Sequence, residues 1–226
     1  MKTKLTILGI ALTATLLPAQ TFTTNSYTLN PNTGIADGSP VGVMEQFNVS
    51  GVSGNITNVQ VQLDITGGFN GDLYAYLVGP QGQLAVLVNR PGITGSNPFG
   101  YGNGGFNITL DSSSANIHGY GSGYTTNGLG QVTGVWGSDG RNIDPQSLGS
   151  VFSGASTSAN LGLFQDGNAN GVWTFFIADL SPGGGTANLN SVILTIMTVP
   201  EPQTWVMLGG GLAVLCLFRN RRSFRL

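Results

Sequence analysis

Asp166-Gly167-Asn168-Ala169-Asn170-Gly171 sets oxygen-bearing side chains at alternate positions and closes on glycine. Oxygens at the first, third and fifth positions of such a loop can converge on one hard cation, and the glycine permits the sharp turn. Ca²⁺ is the cofactor a loop of this type takes. Its twelfth position is Ile177 rather than Glu, which excludes a full EF-hand, so a distant acid such as Asp72 has to complete the ligand set. The competing expectation is an Asx-rich turn feeding the strand of Trp173. Asp64, Asp72 and Asp179 offer a second chemistry, because paired carboxylates can cleave glycosidic bonds. Their alternative role is to end strands and accept hydrogen bonds from turn amides. His118 is the only histidine, so a two-His metal or catalytic site is excluded, and no Gly-x-Ser-x-Gly elbow accompanies it. Tyr74, Tyr76, Tyr101, Tyr120, Tyr124 and Trp136 could offer rings to sugars or proteins. Tyr74 and Tyr76 share one face of a strand, where such pairs also serve to cover the sheet. Gly100-x-Gly102-x-x-Gly105 matches a dinucleotide fingerprint in form only, since no convincing strand precedes it and no helix follows.

The charge around these residues narrows the partners. Between Gln20 and Val199 there are nine acids and two bases, Arg90 and Arg141, a net charge of −7. Such a surface repels phosphate backbones, so nucleic acid is excluded as a partner. Cys216 is the single cysteine, and no disulfide can form within one chain. Charged residues are 8 % of the whole and 36 of 226 residues are Gly, a composition of strands and loops rather than surface helices.

The elements that must position these groups read as strands. Val59, Val61, Leu63 and Ile65 alternate with polar residues, as do Leu73, Ala75 and Leu77, and Leu84–Val88 follows a Gly79-Pro80-Gln81-Gly82 turn. Short loops between these three predict an antiparallel meander. Phe106, Ile108 and Leu110 resume the alternation, and Val172–Ala178 and Leu189–Met197 supply two more strands. Residues 21–55 read as a lead-in with an edge strand and a short strand at Glu45–Val49; Ser112–Ser147 reads as a long Gly-rich loop. No helical period of useful length is present. The expectation is an all-β fold, an antiparallel β-sandwich of six to nine strands spanning 56–199.

Within that span, Gly71-Asp72-Leu73-x-x-x-Leu77-x-Gly79-Pro80-x-Gly82 and Asn170-Gly171-x-Trp173-x-Phe175-x-Ile177-x-Asp179 resemble two signatures of the P domain of proprotein convertases, also called P/Homo B. The closing Gly185-x-x-x-Leu189–Ile196 fits that family's last strand. The resemblance covers about Ile56 to Met197 and implies a jelly-roll sandwich. Gly67 and Gly68 stand where the family commonly has a His, and the resemblance does not extend to the subtilisin-like domain that accompanies P domains in convertases.

The two ends carry addresses. Lys2 and Lys4, the apolar run Leu5–Leu17 and the small-residue end Pro18-Ala19-Gln20 read as a secretory signal peptide over residues 1–20. At the other end, Pro200-Glu201-Pro202 is held extended by its prolines. The apolar run Trp205–Phe218 follows; as a helix it reaches about 21 Å at 1.5 Å per residue, against about 30 Å of bilayer core. Arg219, Arg221 and Arg222 then stop transfer and keep the C-terminus cytoplasmic. Tripeptide, single transmembrane segment and basic end over 200–226 resemble the PEP-CTERM sorting signal of Gram-negative bacteria. That resemblance implies an exosortase-type membrane protease as a partner, transient anchoring in the inner membrane, and delivery to the cell surface or extracellular matrix. The expected function is non-enzymatic: a structural or adhesive role in an exopolysaccharide matrix. The alternatives are a calcium-dependent module binding polysaccharide or a surface protein, and a carboxylate-based hydrolase.

Overall fold

The computed structural model describes residues 21–199 and, beyond them, Gly211. Residues 1–20, expected to be a signal peptide, Pro200-Glu201-Pro202, the arginines Arg219, Arg221 and Arg222, and the apolar segment 205–218 apart from Gly211 lie outside the described residues. Among the described residues no helix is long and apolar enough to cross a membrane.

The described chain is built from β1 (Thr23–Leu29), β2 (Thr33–Ile35), β3 (Ser39–Val49), β4 (Asn55–Thr66), β5 (Leu73–Val78), β6 (Leu84–Asn89), β7 (Gly105–Asn116), β8 (Thr125–Thr126), β9 (Val132–Gly137), β10 (Gly171–Asp179) and β11 (Ala187–Val199), with one short helix, α1 (Gly149–Gly154). These strands make two sheets. One has the order β1-β11-β4-β7-β9-β8, with β2 also pairing with β11; the other has the order β3-β10-β5-β6. Their inner faces share one core, with Val61, Leu63, Ile65, Phe106, Ile108, Leu110, Val192 and Leu194 meeting Phe47, Leu73, Leu77, Trp173, Phe175 and Ile177. The alternation in the sequence is thus the alternation of the pleat, and each large apolar side chain so buried contributes about 1.5–3 kcal/mol. Trp173 satisfies its indole N–H on the Ala169 carbonyl at 2.8 Å, which lets so large a side chain sit fully buried.

Three expectations need correction. The meander does not form: β4 lies between β11 and β7 in the large sheet, and β5 pairs with β10 and β6 in the small one. The β4–β5 connection crosses between layers instead of reversing in plane. Gly67 and Gly68 take φ of 74° and 65°. A Cβ on Gly67 would lie 2.8 Å from the Thr186 carbonyl oxygen. Asn70, fully buried, then ties the crossing to the start of β7 through Nδ2 to the Gly105 carbonyl and the Gly105 N–H to its Oδ1. The sheets are not wholly antiparallel either, because β7 and β9 run parallel. That strand lies inside the stretch expected to be a loop; Gly134, at φ 110°, interrupts the alternation that would have marked it. Finally, the edge strand expected in residues 21–55 is β1 and the strand expected at Glu45–Val49 lies within β3, but β1, β2 and β3 pair with β11 and β10, so the sandwich begins before residue 56.

Candidate functional site

The connections that follow β2, β4 and β10 meet at one end of the two sheets and bring acids together. Asp72 closes a 3₁₀ turn over Asn70–Asp72, and the next residue, Leu73, pairs with Asp179 at the end of β10. The Leu180 N–H donates to the Asp72 carbonyl at 2.9 Å. Arg90, held at φ 46°, donates from Nε to the Gly71 carbonyl at 3.1 Å and sets Nη2 3.5 Å from Asp72 Oδ1. Asp37 accepts from the Gly183 N–H at 3.0 Å. Asp179 is fully buried. Its Oδ1 accepts a long bond, 3.4 Å, from the Ser181 N–H, while Oδ2 has no partner among the described residues. Burial, then the charges of Asp72 and Asp37, push the Asp179 carboxyl up to about 6. Burial also raises Asp72, against the opposing pull of Arg90. Of the three carboxylates expected to act together, Asp72 and Asp179 are therefore neighbours. Asp64 is not; it lies on β4 with Oδ1 taken by Gln131 Nε2 at 2.6 Å and Asn190 Nδ2 at 3.0 Å.

The Asp166–Gly171 loop sits at the other end of β10. β5 and β10 are antiparallel, so Asp72 precedes one end of β5 while Gly171 packs on Pro80 beyond the other. The six residues of β5 alone span about 20 Å, too far for Asp72 to complete a ligand set with Asp166. The side-chain oxygens of Asn168 and Asn170 are engaged as a turn. Asn168 Oδ1 accepts the Asn170 N–H and Nδ2, both at 2.9 Å. Asn170 clamps the backbone of Val52, accepting its N–H at 2.9 Å and donating to its carbonyl at 2.7 Å. Asp166 adopts a left-handed φ of 61° at the surface. Among the described residues no group of three or more His, Cys, Asp or Glu is arranged to hold a metal ion.

His118 belongs to a buried network between β6 and the segment after β9. Its Nδ1 lies 3.0 Å from Asp139 Oδ2 and 3.2 Å from the Asn89 carbonyl, and its Nε2 lies 2.9 Å from the Ile93 carbonyl. Both ring nitrogens thus lie within hydrogen-bond distance of oxygens supplied by the fold itself. The ring stacks on Phe152 at 5.6 Å. Asp139, fully buried, also accepts from Arg141 Nη1 at 2.9 Å and from the Asn89 N–H at 3.1 Å. Asn116 Nδ2 donates to the carbonyls of Ser138 and Asp139. Asp139, Arg141, Asn89 and Asn116 were not legible as partners of His118. Their shared signal is residue type alone, polar groups scattered through apolar or Gly-rich stretches.

The aromatic residues divide between core and surface. Tyr120 is fully buried, its ring 4.5 Å from Tyr101, and burial raises its phenol far above the usual range. Tyr124 and Trp136 border it closer to solvent. Tyr76 stacks on Phe176 at 4.9 Å on the outer side of the small sheet, and Tyr74 lies beside it at 5.8 Å.

Comparison with family models and with curated proteins finds no match. Among solved structures, the serine protease of Aeromonas sobria matches with a TM-score of 0.43 at 15 % identity, over 82 % of this chain and 28 % of its own. The same protease in complex with its chaperone ORF2 matches with a TM-score of 0.42 at 16 % identity, over 80 % of this chain and 28 % of its own. The chain thus spans little more than a quarter of the length of those proteins.

Proposed function

We propose that this chain is an exported β-sandwich of the jelly-roll, P-domain-like kind, sorted by a PEP-CTERM signal and serving a structural or adhesive role in an extracellular polysaccharide matrix. The observation that carries the reading is the join between fold and tail. β11 pairs as far as Val199, whose partner is Asn55, and Pro200-Glu201-Pro202 follows at the next residue. A protease acting at the tripeptide leaves every strand of both sheets whole. It removes the apolar run, the arginine cluster and Cys216, and frees an acidic domain. A non-catalytic role is supported by how the reactive side chains are used: His118, Asp139, Asp64 and Asn170 hold backbone and side chains of the fold together. The test is the intact mass and C-terminal peptide of protein recovered from the native cell surface, with the P200A/E201A/P202A variant alongside. Wild-type protein should end near Val199 and the variant should stay uncut in the membrane. Surface protein that still ends at Leu226, or a variant processed normally, refutes the sorting reading.

A further inference from the structure

The two sheets have four outer edges, and three of them are guarded against another chain. The free side of β6 is already paired. The Val86 N–H donates to the Ala159 carbonyl at 2.8 Å, and its carbonyl accepts the Gly140 N–H at 2.9 Å. The β8 edge is two residues long, and β9 beyond it is broken by Gly134 at φ 110°. β3 carries Pro40 and Glu45, takes φ 61° at Gly42, and slips register against β10 between Ile177 and Asp179. Proline, charge, bulges, shortness and cover are the devices by which proteins keep sheet edges from pairing with other molecules.

The fourth edge has none of them. β1, Thr23-Thr-Asn-Ser-Tyr-Thr-Leu29, contains no proline, glycine or charged residue, and its register on β11 is unbroken over seven pairs. Among the described residues, none donates to or accepts from the backbone on its free side. No lysine occurs anywhere between residues 21 and 199 to discourage an incoming strand.

We propose that this edge pairs with the same edge of a second copy of the chain, β1 antiparallel to β1 about a twofold axis at Ser26, which joins the two large sheets into one. A twofold axis requires each residue to meet its symmetry partner, so Ser26 faces Ser26, Thr24 faces Thr28, Asn25 faces Tyr27 and Thr23 faces Leu29. This register uses all seven residues of the strand. It continues the hydroxyl row that the Ser26 Oγ–Thr195 Oγ1 contact begins at 2.9 Å, and Thr–Thr pairs are favourable cross-strand neighbours. On the other face it extends cover over Tyr27 and Leu29, which pack on the core while partly exposed. Every pair in the register is uncharged, so the acidic domain meets its copy at a place where its like charges are absent. The pairing stands on the strand edges alone and is independent of how the tail is processed.

Cysteine cross-linking of the full chain, expressed in its native host with Cys216→Ser to remove the single native thiol, tests the register. Opposed residues of an antiparallel pair have Cα atoms about 4.5–5.5 Å apart, inside the roughly 4.4–6.8 Å range of disulfides. Ser26→Cys should therefore convert most of the chain to a species of twice its mass on a non-reducing gel, reversed by reductant. Thr24→Cys alone should not, since two copies of Thr24 sit four residues apart along the strand, about 13 Å. Thr24→Cys and Thr28→Cys chains expressed together should cross-link to each other. Ser26→Cys that stays monomeric overturns the proposal. Equal cross-linking by Thr24→Cys alone and Ser26→Cys indicates random collision and overturns it too. A mixed Thr24→Cys/Thr28→Cys pair that fails to join refutes the antiparallel register.

Discussion

Asp179→Asn should stabilise the folded domain at neutral pH, and by an amount that the structure sets. The wild-type carboxyl is fully buried with Oδ2 unpartnered, and its pKa stands near 6 rather than the usual 3.8. Below pH 4 the group is protonated folded or unfolded and exerts no pH dependence. Between about pH 4 and pH 6 the unfolded chain releases the proton while the folded one keeps it, so stability falls as pH rises. Above pH 6 both are ionised and the loss is complete. A difference of about two units at 1.36 kcal/mol each makes that loss about 3 kcal/mol. Asp72 is raised as well, so its contribution has the same sign and remains in the variant. Asn keeps the acceptor for the Ser181 N–H without the charge. At pH 8 the variant should exceed the wild type by up to about 3 kcal/mol, or about 6–12 °C in Tm for a domain of this size. The assay is thermal and urea unfolding of wild type and variant from pH 4 to pH 8. A variant less stable than wild type at pH 8, or a wild type whose stability rises from pH 4 to pH 7, refutes the argument.

Two further substitutions probe the other clusters. Asp139→Ala removes the shared acceptor of His118, Arg141 and the Asn89 N–H, and breaking a buried ion pair of this kind should cost about 3–5 kcal/mol in urea unfolding; a loss below about 1 kcal/mol means that the network holds nothing. With the carboxamides of Asn168 and Asn170 engaged by N–H donors, excess Ca²⁺ or chelator should leave Tm unchanged; a calcium-dependent rise that Asp166→Ala abolishes would make the loop a cation site.

Strand existence was legible wherever one face of a strand is buried and the other wet. Val59–Ile65, Leu73–Leu77 and Phe106–Leu110 alternate for that reason, and the structure places all three as strands. Which sheet each strand joins was not legible, because alternation marks a buried face without saying what covers it. β4 and β5 bury their rows in one core from different sheets, a relation that looks in sequence the same as pairing in plane. An edge strand was expected within residues 21–55, but the bounds of β1 were not legible because both its faces are polar or half-exposed. The acids at the sandwich end were recognisable as candidates, since Asp72 and Asp179 each flank a well-marked strand. Their adjacency follows from the antiparallel β5–β10 pairing, and Asp64 was grouped with them only by residue type. The His118 cluster depends on closing loops between Asn89, Asn116 and Asp139, and no local pattern records such closure.

The central place of β11 has a kinetic consequence. This strand, the last of the described chain, pairs with β1, β2 and β4, and Thr23 finds Thr198 as its neighbour only when nearly the whole domain is present. Contacts of such long range are slow to form, because the closure entropy is lost before they return any stabilisation. A chain emerging from its N-terminus holds β1 and β4 without the strand that separates them. The large sheet closes as a late, cooperative event, and β1 spends the interval as an unpaired ribbon free on both sides.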